Sequence, residues 1–161
     1  MAQTSPEGDW PGPTGAIRIG VDLLPVARMA RLAAENPGIR ETIFTDGELR
    51  YCLGKRRTFE HLAARFAAKE AVLKALGTGL GQRMRWTDVE IVSGALGRPR
   101  VRLHGEVAAW ARRGGLAEID VSLSHTSELA MAQAVAVWTG ECRGAPRDAE
   151  GRVSSRALPF D

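Results

Sequence analysis

Residues 58–76 read TFEHLAARFAAKEAVLKAL, and this stretch decides the fold because it carries the clearest helix signal in the chain. Its larger apolar side chains recur at helical spacing, which places them along one side of an α-helix. They are Phe59, Leu62, Phe66, Leu73 and Leu76. Gly77 follows directly and is a natural stop, since glycine readily adopts the left-handed conformation that ends many helices. The sequence therefore predicts a long helix over residues 58–76.

Glu70 lies at the edge of this apolar side, four residues after Phe66 and three before Leu73. A carboxylate turned toward a protein core is costly unless it is paired or binds a metal ion. Lys74 lies one turn later and could form an ordinary structural ion pair with Glu70. Alternatively, Glu70 is held inward to bind a cation, and Lys74 beside it is a phosphate partner or a proton acceptor.

A strand is predicted upstream, where apolar residues alternate with polar or small ones from Ile17 to Asp22. Asp22 closes this strand immediately before a helix whose first turn accommodates Pro25. A carboxylate in that position either caps the helix N-terminus or serves as a ligand for a hard metal ion. The residues alone leave both alternatives open.

Two segments beside the long helix could approach an anion. Residues 77–79 read GTG, and glycines let backbone N–H groups come close to a phosphate. The second segment is a basic cluster near the helix start, made of Lys55, Arg56, Arg57 and Arg65. Each segment has an ordinary alternative, namely a helix-ending loop and a solvated charged surface.

The remaining segments predict a mixture of helices and strands. Thr45 and Glu48 have the spacing of a capping box, so a short helix should follow to about Cys52. Further strands are expected at residues 88–92, 100–103, 119–123 and 129–137, and a further helix at 106–112. The small residues of the last strand could line an interface between chains. Helices that interleave with hairpins indicate the α+β class, with an antiparallel sheet packed against helices.

Composition sets the broad class of protein. The chain has 161 residues, of which 44% are hydrophobic and 25% are charged, values typical of one soluble globular domain. We find no apolar run that could span a membrane, and the N-terminal residues lack the features of a secretory signal. Cys52 and Cys142 have no metal-binding or redox spacing, so a reducing, cytoplasmic location is expected. A net charge of +3 does not indicate a nucleic-acid binder and suits an acidic partner or a phosphate-bearing ligand.

The two ends of the chain differ from the middle. Residues 1–15 are rich in proline and glycine, and residues 139–161 show no apolar period. Neither segment could bury enough apolar surface to offset the entropy lost on ordering it. One folded domain is therefore expected over residues 16–138. It would lie between a disordered N-terminal extension and a C-terminal tail that is disordered or contacts a partner.

A serine beside a histidine, Ser124-His125, invites comparison with hydrolases. No G-x-S-x-G motif surrounds the pair, and adjacent residues of a strand face opposite sides of a sheet. Ser124 and His125 are therefore poorly placed to act as nucleophile and base on each other. A histidine that binds a phosphate, or one that is simply exposed in a turn, fits His125 better.

Together these segments resemble the holo-acyl-carrier-protein synthase family, the small type of 4′-phosphopantetheinyl transferase. The matching stretches are IGVD at 19–22 with Arg28 six residues later, RFAAKEAVLKA at 65–75, GTG at 77–79, DVEI at 88–91, GRP at 97–99 and SLSHT at 122–126. The resemblance covers about residues 16–138, and its motifs are specific in combination. It implies a 4′-phosphopantetheinyl transferase-like fold.

The resemblance also implies a transfer reaction. Enzymes of this family move the phosphopantetheine arm of coenzyme A to a serine of an acyl carrier protein, release adenosine 3′,5′-bisphosphate and use Mg²⁺. Asp22 and Glu70 would bind the metal ion, and Lys74 would contact the phosphate. Coenzyme A would contact Arg56, Arg57, Arg65, Gly77, Thr78, Gly79 and His125. Arg28 would meet the acidic helix of a carrier protein used in fatty-acid or polyketide biosynthesis.

A further implication of the resemblance is a homotrimer with an active site at each subunit interface. One chain would supply Asp22 and Glu70, and its neighbour would supply His125 and part of the basic cluster. A non-catalytic module that binds coenzyme A or a carrier protein is the alternative, although Asp22, Glu70 and Lys74 are all present. Both terminal segments and the basic residues around 82–85 exceed the compact pattern of the family. The choice between fatty-acid and secondary-metabolite carriers stays open.

Overall fold

A long helix packed across one face of an antiparallel sheet organises the chain. The computed structural model describes residues 15–81 and 83–139, so the expected terminal segments lie outside it apart from Gly15 and Thr139. The helices are α1 (Val26–Glu35), α2 (Ile39–Ile43), α3 (Asp46–Leu53), α4 (Thr58–Leu76) and α5 (Gly105–Arg113). The strands are β1 (Ala16–Pro25), β2 (Val89–Ser93), β3 (Pro99–Leu103), β4 (Leu116–His125) and β5 (Leu129–Trp138).

Helix α4 is buried on almost every side rather than along one stripe. Its alanines let neighbouring elements approach closely, and six of them are fully buried: Ala63, Ala64, Ala67, Ala68, Ala71 and Ala75. The predicted helix limits are confirmed. Phe59, however, is 36% exposed, and Glu60 is the buried residue of the first turn. The apolar period thus identifies the helix but misplaces the face that is buried at its N-terminal end.

Strand β5 lies in the middle of the sheet, and its alanines face the helix. The strand order is β1-β5-β4, with antiparallel pairing throughout. The buried residues of β5 are Ala130, Ala132, Ala134, Ala136 and Trp138. The expectation that small residues of this strand line an interface between chains is therefore wrong for the alanines. They are covered within their own chain, because β5 packs against α4.

Strand β1 and helix α4 approach each other most closely at Gly20. A Cβ atom at this position would lie 1.9 Å from the carbonyl oxygen of Ala71, so only glycine fits. Asp22 lies two residues further along β1 and therefore on the same face of the strand. The close contact thus brings a carboxylate of β1 toward the C-terminal half of α4.

The opposite face of the sheet is apolar and exposed. Its large exposed side chains are Ile17, Ile19, Val21 and Leu23 of β1, with Leu129 and Met131 of β5. We call this surface the outer sheet face. The alternating pattern of β1 is confirmed as a strand, yet its apolar side is the one that faces away from α4.

A buried ion pair fixes α4 against α3 and β2. Lys69 Nζ lies 2.8 Å from Glu48 Oε2, and both side chains are 0% exposed. The ammonium also donates to the carbonyl oxygens of Trp86 and Val89, and the carboxylate accepts from the backbone N–H of Ile91. Every charge in this pair therefore has hydrogen-bond partners, as a buried ion pair requires.

The structure confirms the α+β class, with small differences in element limits. The capping box of Thr45 and Glu48 forms and starts α3. Strand β2 begins at Val89, one residue later than predicted, because Asp88 closes a 3₁₀ turn. Helix α2 is not predicted, since its five residues are too few to show an apolar period. Within residues 15–81 and 83–139, no helix is long and apolar enough to cross a membrane.

Candidate active site

Asp22, Glu70 and Lys74 form a cluster where β1 meets α4. Lys74 Nζ donates to Asp22 Oδ1 at 2.8 Å and to the carbonyl oxygen of Val21 at 3.0 Å. The lysine therefore pairs with the carboxylate on the strand rather than with Glu70 on its own helix. Instead of the ion pair with Glu70 considered from the sequence, Lys74 pairs with Asp22, which lies 52 positions away in the chain.

Glu70 is the unusual member of this cluster. It is only 6% exposed. Burial raises its pKa from the ordinary 4.5 to about 7, and the nearby charge of Asp22 adds to the effect. The positive charges of Lys74 and Arg28 act in the opposite direction on this pKa. Two carboxylates thus share a partly desolvated space in which their mutual repulsion is not fully compensated.

This arrangement fits a divalent cation. Mg²⁺ is usually bound by one or two protein carboxylates, together with water and substrate phosphate oxygens. Among the described residues there is no group of three or more His, Cys, Asp or Glu that could hold a metal by itself. The pair of Asp22 and Glu70 therefore suits an ion that takes its other ligands from a phosphate-bearing substrate.

The glycine-rich segment lies at the same end of α4 as this cluster. Gly77 ends the helix at φ 71°, and Gly79 adopts φ 59°, so both use the left-handed conformation that favours glycine. Thr78 Oγ1 lies 3.3 Å from Met84 Sδ. The predicted helix stop is confirmed, and the GTG segment borders the carboxylate cluster through its position after Lys74.

A second group of site residues surrounds a cavity of about 330 Å³ near the start of α4. Its lining includes Tyr51, His61, Arg65, Ser93 and His125. Arg65 is 4% exposed, its guanidinium stacks 3.9 Å from the Tyr51 ring, and Nη2 lies 3.3 Å from Ser93 Oγ. Its Nε atom has no hydrogen-bond partner within the described part of the chain. A buried guanidinium with spare donors, lining a cavity, is suited to an anion.

The histidine of this cavity is held by a carboxylate. His125 Nδ1 lies 3.1 Å from Glu60 Oε2, and Arg57 Nη1 lies 3.6 Å from the same oxygen. Arg56 is exposed. Neither Glu60 nor His61 stands out as a site residue in the sequence. An acidic residue in the first turn of a helix is ordinary, so only the contact with a residue 65 positions away reveals Glu60.

Strand register bears on the comparison with hydrolases. Ser124 pairs with Met131 on the outer sheet face, whereas His125 pairs with Ala130 on the face toward α4. The two side chains therefore leave β4 on opposite sides, as predicted.

The two groups of site residues stay apart within one chain. Glu60 contacts His125, Glu70 belongs to the carboxylate cluster, and the two glutamates are ten positions apart on α4. At 1.5 Å per residue, this spacing is about 15 Å along the helix axis. Arg28 is exposed on α1 and acts on the pKa of Glu70, so it belongs to the carboxylate end.

Comparison with known families decides what this fold is. The family model described as the 4′-phosphopantetheinyl transferase superfamily matches residues 18–134, a range that includes both groups of site residues. The chain belongs to this superfamily. The match extends over nearly all of the described transferase, from β1 into β5.

Individual relatives of the transferase carry one description. Holo-[acyl-carrier-protein] synthase of Moorella thermoacetica is 46% identical over 119 residues, which are 74% of this chain and 92% of the relative. A solved holo-[acyl-carrier-protein] synthase from Neisseria meningitidis has a TM-score of 0.69 at 30% identity and covers 74% of this chain and 96% of that chain. An ACPS–CoA complex from Chronobacterium ammoniagenes has a TM-score of 0.69 at 29% identity, covering 76% and 98%. The predicted family and its fold are confirmed.

Proposed function

We propose that this protein transfers the 4′-phosphopantetheine group of coenzyme A to a serine of an apo acyl carrier protein. The serine oxygen attacks the phosphorus next to the pantetheine arm, and the bond from that phosphorus to the bridging pyrophosphate oxygen breaks. The products are the holo carrier protein and adenosine 3′,5′-bisphosphate. We assign the reaction to residues 16–138, a range supported by the family match to residues 18–134.

One observation carries this proposal, namely the cluster of Asp22, Glu70 and Lys74 in a chain of this superfamily. A buried carboxylate with a pKa of about 7 beside a second carboxylate is costly to the fold, and a cationic ligand would offset that cost. The named relatives are holo-[acyl-carrier-protein] synthases, which supports the choice of reaction.

Asp22 and Glu70 would hold Mg²⁺. When bound, the ion supplies compensation for the negative charge of the pyrophosphate and of the leaving oxygen. Lys74 provides a fixed positive charge beside the same position, because its ammonium is already oriented by Asp22 and by the Val21 carbonyl. The serine proton must leave during attack, and the carboxylates of Asp22 and Glu70 are acceptors within this cluster.

Coenzyme A would bind between the C-terminal end of α4 of one chain and the cavity near the start of α4 of a neighbouring chain. We assign the pyrophosphate to Gly77, Thr78 and Gly79, a segment in which both glycines adopt the left-handed conformation. We assign the 3′-phosphate to the basic set near the cavity, which consists of Arg56, Arg57, Arg65 and His125. The buried Arg65 supports this assignment, because its Nε has no hydrogen-bond partner among the described residues. An ACPS–CoA complex among the similar structures supports coenzyme A as the donor.

The carrier protein would bind near α1. Arg28 is exposed there and lies close enough to Glu70 to affect its pKa, so a bound acidic helix would lie beside the reacting phosphate. The net charge of +3 favours such an acidic partner. Fatty-acid and polyketide carriers both satisfy this chemistry, and we place the reaction in the cytoplasm.

We further propose a homotrimer in which each site is completed by a neighbouring chain. Two features support it. The phosphate-binding residues near His125 lie about 15 Å along α4 from the carboxylate cluster of the same chain. The outer sheet face is a contiguous apolar surface, and such surfaces commonly mark contacts between proteins.

The test is mass spectrometry of an apo acyl carrier protein after incubation with the full chain, coenzyme A and Mg²⁺. We expect the carrier to gain one phosphopantetheine, and we expect EDTA to prevent the gain. Fatty-acid, polyketide and peptide carriers are compared in parallel. Coenzyme A binding without transfer to any of the three would contradict the proposal and favour a non-catalytic binding module.

A further inference from the structure

Glu60 is a buried carboxylate to which the proposed reaction gives no role. It is 8% exposed and lies in the first turn of α4. Its ordinary explanation is a favourable interaction with the positive end of the helix dipole. That explanation does not account for its contact with His125, a residue of the cavity at the end of β4.

The contact constrains the imidazole in a specific way. His125 Nδ1 faces Glu60 Oε2 at 3.1 Å, so Nδ1 carries the proton that it donates to the carboxylate. Nε2 is then the ring nitrogen available to a ligand in the cavity. The His61 ring packs against His125 with a centroid separation of 5.0 Å and restricts its movement.

The groups around His125 form a setting for a phosphate. With Nδ1–H bonded to Glu60, Nε2 can donate to a phosphate oxygen when the ring carries both protons. Arg57 Nη1 lies 3.6 Å from the same oxygen of Glu60, and Arg65 lines the same cavity. Burial lowers the pKa of His61, which packs against His125. Glu60 therefore contacts both His125 and a basic side chain beside the cavity.

We propose that Glu60 is a positioning residue that holds His125 with Nδ1–H toward itself and Nε2 toward a phosphate group of coenzyme A. The inference rests on the proposed function, because the ligand is the donor substrate of that reaction. It assigns to Glu60 an effect on coenzyme A binding that is exerted through His125 rather than by direct contact.

Steady-state kinetics of four variants in the full chain test this role: Glu60→Gln, His125→Ala, the double variant and Glu106→Gln. Glu106 lies in the first turn of α5 and controls for loss of a helix-dipole interaction. We expect Glu60→Gln to raise the KM for coenzyme A about tenfold, because one charge-assisted hydrogen bond is lost. We expect kcat to change less than about twofold. The double variant should be no weaker than His125→Ala alone.

A KM for coenzyme A that is unchanged in Glu60→Gln, or losses that multiply in the double variant, would overturn the inference. The ¹⁵N NMR shifts of the His125 ring provide a readout that does not require catalysis. Wild type should show a protonated Nδ1, and Glu60→Gln should shift both ring nitrogens while its unfolding temperature stays close to that of Glu106→Gln. If wild type shows this NMR signature but transfers no phosphopantetheine, the proposed function fails and the positioning of His125 stands.

Discussion

Two neighbouring residues of α4, Lys69 and Glu70, are both charged and buried but have opposite surroundings. Lys69 has a carboxylate and two carbonyl oxygens as partners, and Glu48 opposite it is equally satisfied. Glu70 faces another carboxylate, Asp22, and its pKa rises to about 7. One charge is used to hold elements together, whereas the other is kept incompletely compensated. The second kind of environment is what a site for a cationic ligand requires.

The largest expected effect concerns catalysis. Asp22→Ala and Glu70→Ala should each reduce phosphopantetheine transfer by at least about a hundredfold, because each removes half of the proposed metal site. Transfer is measured by mass spectrometry of the carrier protein, with circular dichroism to verify folding. Glu106→Ala, an exposed acidic change on α5, serves as the control and should retain activity. Transfer at the wild-type rate in either site variant would refute the metal assignment.

A smaller effect, on stability, is expected at the satisfied pair. Glu48→Gln leaves the Lys69 ammonium buried beside a neutral amide, which should cost about 3–5 kcal/mol of unfolding free energy. Denaturant unfolding at fixed protein concentration measures this loss. The double change Glu48→Gln with Lys69→Met should recover a large part of it, since no uncompensated charge remains. If the double variant is less stable than Glu48→Gln, the pair does not act as a compensated unit.

The smallest expected effect has the opposite sign. The pKa of Glu70 is raised in the folded state, so its contribution to stability is fully present below pH 4.5 and is lost as the pH rises through about 7. Glu70→Gln cannot ionise and should be more stable than wild type at pH 8, by at most about 3 kcal/mol. The difference should vanish at pH 4.5.

Both proteins are unfolded with denaturant in EDTA and again with Mg²⁺. Mg²⁺ should stabilise wild type and leave Glu70→Gln unchanged, because only wild type retains both carboxylates. If wild type is more stable than Glu70→Gln at pH 8 in EDTA, the ionised carboxylate of Glu70 does not destabilise the folded state.

Local patterns predicted the elements of this fold well. The period of residues 58–76, the stop at Gly77 and the capping box of Thr45 are each set by neighbours within a few positions, and all three form. Asp22 and Glu70 were also singled out from the sequence, where helix capping stayed open for Asp22 and an ion pair with Lys74 stayed open for Glu70. Their proposed roles remain predictions.

Contacts between distant segments could not be predicted from such local patterns. Lys69 meets the Val89 carbonyl 20 residues away, and His125 meets Glu60 65 residues away, so no periodicity connects them. The alternation of β1 shows which residues share a face, but the packing of Gly20 against α4 decides which face is inward. The face of β1 whose small residues allow close approach packs against α4, although the opposite face carries the larger apolar side chains.

The contact at Gly20 fixes a distance within the site. Since the Ala71 carbonyl would be 1.9 Å from any Cβ at this position, β1 and α4 are separated by the thickness of two backbones. The spacing of the two backbones that carry Asp22 and Glu70 is therefore set by direct contact between main-chain atoms. A single added methyl group, placed two residues away from Asp22, would force β1 and α4 apart at the proposed metal site.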